Sequence, residues 1–120
     1  MSTEEELNEH LKDIRNIDRV KGSALVRRDG LMILSQLPDG IDSDQLAAMT
    51  ASTVGSGETA SNTLAIGNVE QVIVESKQGK LISTGVGEDA ILAVITSEDI
   101  QMKDLLSRMS QKVDEVVEIL

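Results

Sequence analysis

Apolar residues recur along the chain with a period that changes from segment to segment, and each period specifies an element. Leu7, Leu11, Ile14 and Ile17 follow one another at helical spacing. Thr3 and Glu6 stand ahead of them at capping-box spacing. A first helix is therefore predicted over about residues 3–18, with Glu4, Glu5 and Glu6 at its positive end. Residues 20–28 and 31–37 are rich in β-formers, and Asp29-Gly30 lies between them. That pair suits a tight turn needing positive φ, so the two runs are predicted to pair antiparallel. Pro38-Asp39-Gly40 closes the hairpin. Asp42 and Gln45 repeat the capping spacing at the head of a long helical segment, residues 43–66, which stops at Gly67-Asn68. Three β-rich runs follow, 69–75, 80–84 and 90–96, separated by turn residues as in a meander. The last of them is continuously apolar, as for a central strand covered on both faces. Ser97 is the predicted N-cap of a final helix over about 98–119, carried by Leu105, Met109, Val113, Val116 and Leu120.

The order is α-β-β-α-β-β-β-α, with no βαβ unit. It predicts an α+β sandwich: a five-stranded antiparallel sheet with the second helix on one face and the first and third on the other. A chain of 120 residues is expected to form one domain, residues 1–120.

The second helix breaks the usual amphipathic rule. At 100° per residue, Leu46, Thr50, Thr53, Gly57 and Leu64 share the face predicted to lie on the sheet, flanked by Met49 and Ala60. The opposite face carries Ala48, Ala51, Gly55, Thr59 and Asn62 where a solvated helix would carry Lys, Glu and Arg. Glu58 is the only charge between Leu46 and Ala65. Gly55 and Gly57 each cost a helix about 1 kcal/mol relative to Ala. Close packing of the small face against the same helix of a second copy, in a two-fold interface, would offset that cost. The alternative is that the two glycines break the segment into two short helices.

Composition narrows the chemistry. All 48 hydrophobic residues are aliphatic, since the chain has no Phe, Tyr, Trp or Cys, and it has one His. A thiolate nucleophile, a disulfide framework and a Cys-ligated metal are excluded, and so is a multi-His metal site. The lack of cysteine fits a reducing cytoplasm. Twenty-one acidic against eleven basic residues give a net charge of −10, which disfavours nucleic acid and anionic lipid. The acidic start lacks the apolar core of a signal peptide, and no apolar run reaches the roughly 20 residues of a membrane span.

No catalytic, cofactor-binding or metal-binding set emerges. Val54-Gly55-Ser56-Gly57-Glu58-Thr59 lacks the lysine of a phosphate loop, and Gly85-Val86-Gly87 lacks the third glycine of a dinucleotide fingerprint. His10 reads as a surface residue. The hydroxyls of the second helix have no base nearby in sequence, and are expected to bond back to the preceding turn. Arg27-Arg28 is the one local basic spot.

Taken together, these features resemble the Roadblock/LC7 family. They are the element order, the run Val20-Lys21-Gly22-Ser23-Ala24-Leu25-Val26-Arg27-Arg28-Asp29-Gly30-Leu31, the uncharged second helix, and the segment Gly79-Lys80-Leu81-Ile82-Ser83-Thr84-Gly85-Val86-Gly87. The resemblance extends over about residues 5–119. It implies a profilin-like sandwich in which two copies join through their second helices and third strands into one continuous sheet. Val69, Gln71 and Ile73 then join Ala48, Ala51, Gly55, Thr59 and Asn62 in the homodimer interface. The resemblance also implies a non-enzymatic platform for a small Ras-like GTPase, acting by selecting a switch conformation. The residues expected to meet that partner are Gln45, Ser52, Ser56 and Thr63 on the second helix, and Arg27 and Arg28 on the hairpin. Other family members are constitutive scaffold subunits of larger assemblies, which is the alternative for this chain. The lack of any aromatic residue departs from many relatives and removes an aromatic partner anchor.

Overall fold

A computed structural model describes all 120 residues. Three helices, α1 (Thr3–Arg15), α2 (Ser43–Leu64) and α3 (Met102–Ile119), combine with five strands: β1 (Val20–Arg27), β2 (Met32–Gln36), β3 (Val72–Ser76), β4 (Gly79–Val86) and β5 (Ala90–Thr96). The strands lie in the order β2-β1-β5-β4-β3, every neighbouring pair antiparallel. The continuously apolar run is thus the central strand, β5.

Side chains alternate across the sheet and build two cores. Leu25, Ile82, Leu92 and Val94 meet Leu7, Leu11 and Ile14 of α1 and Leu105, Met109 and Val116 of α3. Ala24, Val26, Ile91 and Ala93 meet Leu46, Ala47 and Val54 of α2 on the other face. The small Ala24 and Ala93 in mid-sheet make room for α2. Ser23, buried under α1, donates its hydroxyl to the Leu11 carbonyl at 2.7 Å.

Several local expectations are corrected. Ser2, not Thr3, caps α1, its hydroxyl accepting from the Glu5 amide. Arg27 and Leu31 close a three-residue hairpin loop, Arg28-Asp29-Gly30, in which only Gly30 has positive φ, at +94°. The Gly30 amide donates to the Arg27 carbonyl and the Arg27 amide to the Leu31 carbonyl, the geometry of a type I turn followed by a left-handed residue. α2 is one continuous helix despite its glycines, and ends on left-handed Ala65, two residues before Gly67. β3 begins at Val72, so Val69 and Gln71 precede it.

α3 begins at Met102 rather than residue 98 because Ser97 is used elsewhere. The Ser97 amide donates to the Arg19 carbonyl, and its hydroxyl donates to Asp99 Oδ1 at 2.8 Å. Asp99 also pairs with the Arg19 guanidinium. The segment therefore ties the α1–β1 connection to the end of β5. The Ser97 hydroxyl and Arg19 hold the Asp99 carboxyl below the usual aspartate range.

Candidate interaction surface

α2 starts where Asp42 accepts from the Gln45 amide at 3.1 Å. Its rotation about its axis differs from the expectation. Leu46, Ala47, Thr50, Val54 and Ser61 are buried, whereas Met49 and Leu64 are 57% and 66% exposed. With so many small residues the helix has no dominant apolar stripe, and Ala47 and Val54 complete the sheet contact in place of Thr53 and Leu64. Gly57 lies on the β3 side: a Cβ there would stand 3.0 Å from Val72 Cγ2. The glycine lets α2 settle onto the edge strand.

Ala48, Gly55, Thr59 and Asn62 are exposed on the outward side, together with Gln45, Ser52, Ser56 and Thr63. The residues expected at a second copy and at a partner thus share one surface. Ala51 is only half-exposed, because the chain's own β1–β2 loop reaches it. A Cβ on Gly30 would lie 3.6 Å from Ala48 Cα and 4.0 Å from Ala51 Cβ. Part of the reason for small residues at 48 and 51 is therefore internal. Of the helix hydroxyls expected to bond back, Thr53 does so, donating to the Met49 carbonyl at 2.8 Å, whereas Ser61 donates forward to the Gly67 carbonyl and buried Thr50 has no partner.

Neither hairpin arginine projects freely. Arg27 pairs with Asp29 at 2.5 Å. Arg28 Nη1 lies 2.7 Å from Glu58 Oε1, and Nη2 crosses over Gly85, where a Cβ would stand only 2.6 Å away. The single charge of central α2 is thereby neutralised from within. A polar cavity of about 550 Å³ opens beside this pair, bounded also by Asn62, Asn68, Glu70 and Glu88.

The two edges of the sheet differ. β2 is followed by Pro38, and its ladder with β1 is irregular at Leu25/Val26. Both are devices that blunt an edge. β3 has no proline, pairs only with β4, and leaves Ile73 and Val74 39% and 43% exposed. Through Gly57 and Val72 this bare edge runs on from the outward face of α2. Val69 is half-buried and Gln71 exposed, both in the segment leading into it.

His10 is not the free surface residue expected. Its Nδ1 lies 3.1 Å from Lys112 Nζ and 3.2 Å from Glu115 Oε2, clasping α1 to α3, and Lys112 also reaches Asp13 at 2.8 Å. Lys112 is 102 residues away in sequence, so nothing local signals the contact. No helix is long and apolar enough to cross a membrane.

A sandwich with this strand order defines the profilin-like class. Within it, the Roadblock/LC7 domain model matches residues 6–96, and the chain belongs to that family. An uncharacterised protein of Methanocaldococcus jannaschii is 32% identical over 106 residues, covering 88% of this chain and 89% of its own. Among solved structures, Myxococcus xanthus MglB aligns with a TM-score of 0.89 at 23% identity, over 95% of this chain and 94% of that one. Schizosaccharomyces pombe profilin aligns with a TM-score of 0.65 at 13% identity, over 98% of each chain.

Proposed function

We propose that this Roadblock/LC7 protein is a non-catalytic cytoplasmic platform that pairs with a second copy and binds a small Ras-like GTPase. One observation carries the reading: an exposed, uncharged, small-residue helix face runs into an unprotected strand edge. Two copies related by a two-fold axis would pack α2 on α2 and pair β3 with β3, with Ala48, Gly55, Thr59, Asn62 and Ile73 in contact. Gln45, Ser52, Ser56 and Thr63 on the same helix would then meet the GTPase. Engagement of Arg27 and Arg28 within their own chain favours these α2 residues over the hairpin. Selection of one switch conformation needs no covalent chemistry.

The test has two parts. Native mass spectrometry is expected to give twice the 12.9 kDa chain mass. Immobilised protein is expected to retain a small GTPase from source-cell lysate with a non-hydrolysable GTP analogue and not with GDP. Equal retention in both nucleotide states would indicate a constitutive scaffold subunit instead.

A further inference from the structure

His10 Nδ1 stands between a donor and an acceptor. Lys112 Nζ lies 3.1 Å away and Glu115 Oε2 3.2 Å away, both on α3. A ring nitrogen carries a lone pair or a proton, never both. Bare, Nδ1 accepts from the Lys112 ammonium and gives Glu115 no donor. Protonated on a charged ring, it donates to Glu115 and meets Lys112 as a like charge. One protonation state therefore cannot satisfy both contacts.

The surroundings sharpen the choice. His10 and Asp13 are three apart on α1, and Lys112 and Glu115 are three apart on α3, so each pair shares one helix face. Lys112 Nζ also reaches Asp13 Oδ2 at 2.8 Å and Glu115 Oε2 at 3.6 Å. The His10 and Lys112 side chains are only 20% and 19% exposed, so water does not fully replace a lost partner. Glu6 lies one turn before His10 on α1. Arg108, one turn before Lys112 on α3, is held by Asp104. α1 also packs on β1 and β2. β2 carries no ionisable side chain, and the two on β1 are Lys21 and Arg27. Arg27 is paired with Asp29 on the hairpin, and neither bonds the ring.

The two states of the ring differ in what joins the helices. With His10 neutral, Lys112 is a fork that holds His10 and Asp13 together, and Glu115 touches only the flank of that fork. With His10 charged, the contacts sort into two ion pairs, His10 with Glu115 and Lys112 with Asp13. Imidazole is the side chain whose ordinary titration falls between pH 5 and 8, and His10 is the chain's only histidine.

We propose that His10 is a proton-operated switch between α1 and α3, taking Lys112 when neutral and Glu115 when charged. A proton then changes the link between the helices without changing the fold. The switch lies on the opposite side of the sheet from α2 and depends neither on self-association nor on the GTPase reading.

The test follows the ring by NMR in the untagged chain. With no Phe, Tyr or Trp present, every carbon-bound aromatic proton belongs to His10, so simple proton spectra give its titration. The Lys112 Cε and Glu115 Cδ signals are expected to shift at the same midpoint as the ring. Proton–nitrogen spectra above that midpoint are expected to show Nδ1 bare. Lys112→Met should draw the neutral ring toward the Nδ1–H form, facing Glu115, and raise the midpoint. Glu115→Gln should keep Nδ1 bare and lower the midpoint. Each change is expected to be roughly 0.2–0.7 of a pH unit, the range for partly exposed ion pairs. The proposal is overturned if Lys112 and Glu115 do not respond at the His10 midpoint, or if Nδ1 carries the proton of the neutral wild-type ring. It is also overturned if Nδ1 stays bare in the neutral ring of Lys112→Met, or if neither variant moves the midpoint.

Discussion

Arg28 and Glu58 form an ion pair, 2.7 Å long, that fastens the β1–β2 loop to the middle of α2. The pair rests on Gly85, which is open enough at its Cα to admit the guanidinium. Three segments far apart in sequence therefore depend on one contact.

Arg28→Ala is expected to destabilise the fold by about 0.5–1.5 kcal/mol, the range for a hydrogen-bonded pair that keeps partial access to water. Gly85→Ala should cost a similar amount by displacing Arg28, and almost nothing more once Arg28 is gone. Urea unfolding followed by far-ultraviolet circular dichroism measures this cycle. An equal cost of Gly85→Ala in both backgrounds would show that the glycine serves something else.

The two glycines of α2 should respond differently to the same substitution. Nothing of its own chain lies within 4 Å of a Cβ at Gly55, so at concentrations too low for self-association Gly55→Ala should stabilise the helix by about 1 kcal/mol. Gly57→Ala should lose that gain against Val72 Cγ2. Thermal unfolding of both variants decides it, and identical shifts would reject the close approach of α2 to β3.

Gly55→Leu should leave helix content unchanged while lowering the solution mass toward a single chain. Sedimentation velocity is the measurement, and an unaltered dimer would remove Gly55 from the contact.

A charge placed on the open strand edge should act the same way. Ile73 is partly exposed, so Ile73→Lys should fold and weaken self-association at least tenfold. A full-affinity dimer would rule out pairing through β3.

Asp99 supplies a pH dependence whose sign is fixed. Its carboxyl is held below the ordinary range in the folded protein, first by Ser97 and then by Arg19. The contribution to stability is present above the unfolded aspartate pKa and fades as the pH falls through the folded value. Asp99→Asn should therefore flatten the acid limb of a stability–pH curve and leave its low-pH end unchanged. A parallel downward displacement at all pH values would contradict this.

Element order, the Asp42 cap and the central position of β5 were legible because each follows from local periodicity or a neighbouring residue. The rotation of α2 was not: alanine, serine, threonine and glycine carry too little difference in hydrophobicity to orient a helix. Ser97 is a sound cap by residue type, but Arg19 and Asp99 claim its hydrogen bonds once β5 lies beside β1. Arg28–Glu58, Gly30 against Ala48 and Ala51, and His10–Lys112 join residues whose proximity only the topology creates. The candidate surface was singled out by a missing feature, the charges a solvated helix should have, while its continuity with β3 depended on the Gly57–Val72 contact.

The unequal edges of the sheet set a limit on growth. If two such sheets join edge to edge through β3, as proposed, both open ends are consumed, and the ten-strand product would terminate in β2 on either side. Each terminus would be irregular in its ladder and followed by proline, offering no template for a further copy. Assembly of that kind would be self-terminating: concentration could fill the pair but not extend it into a fibre.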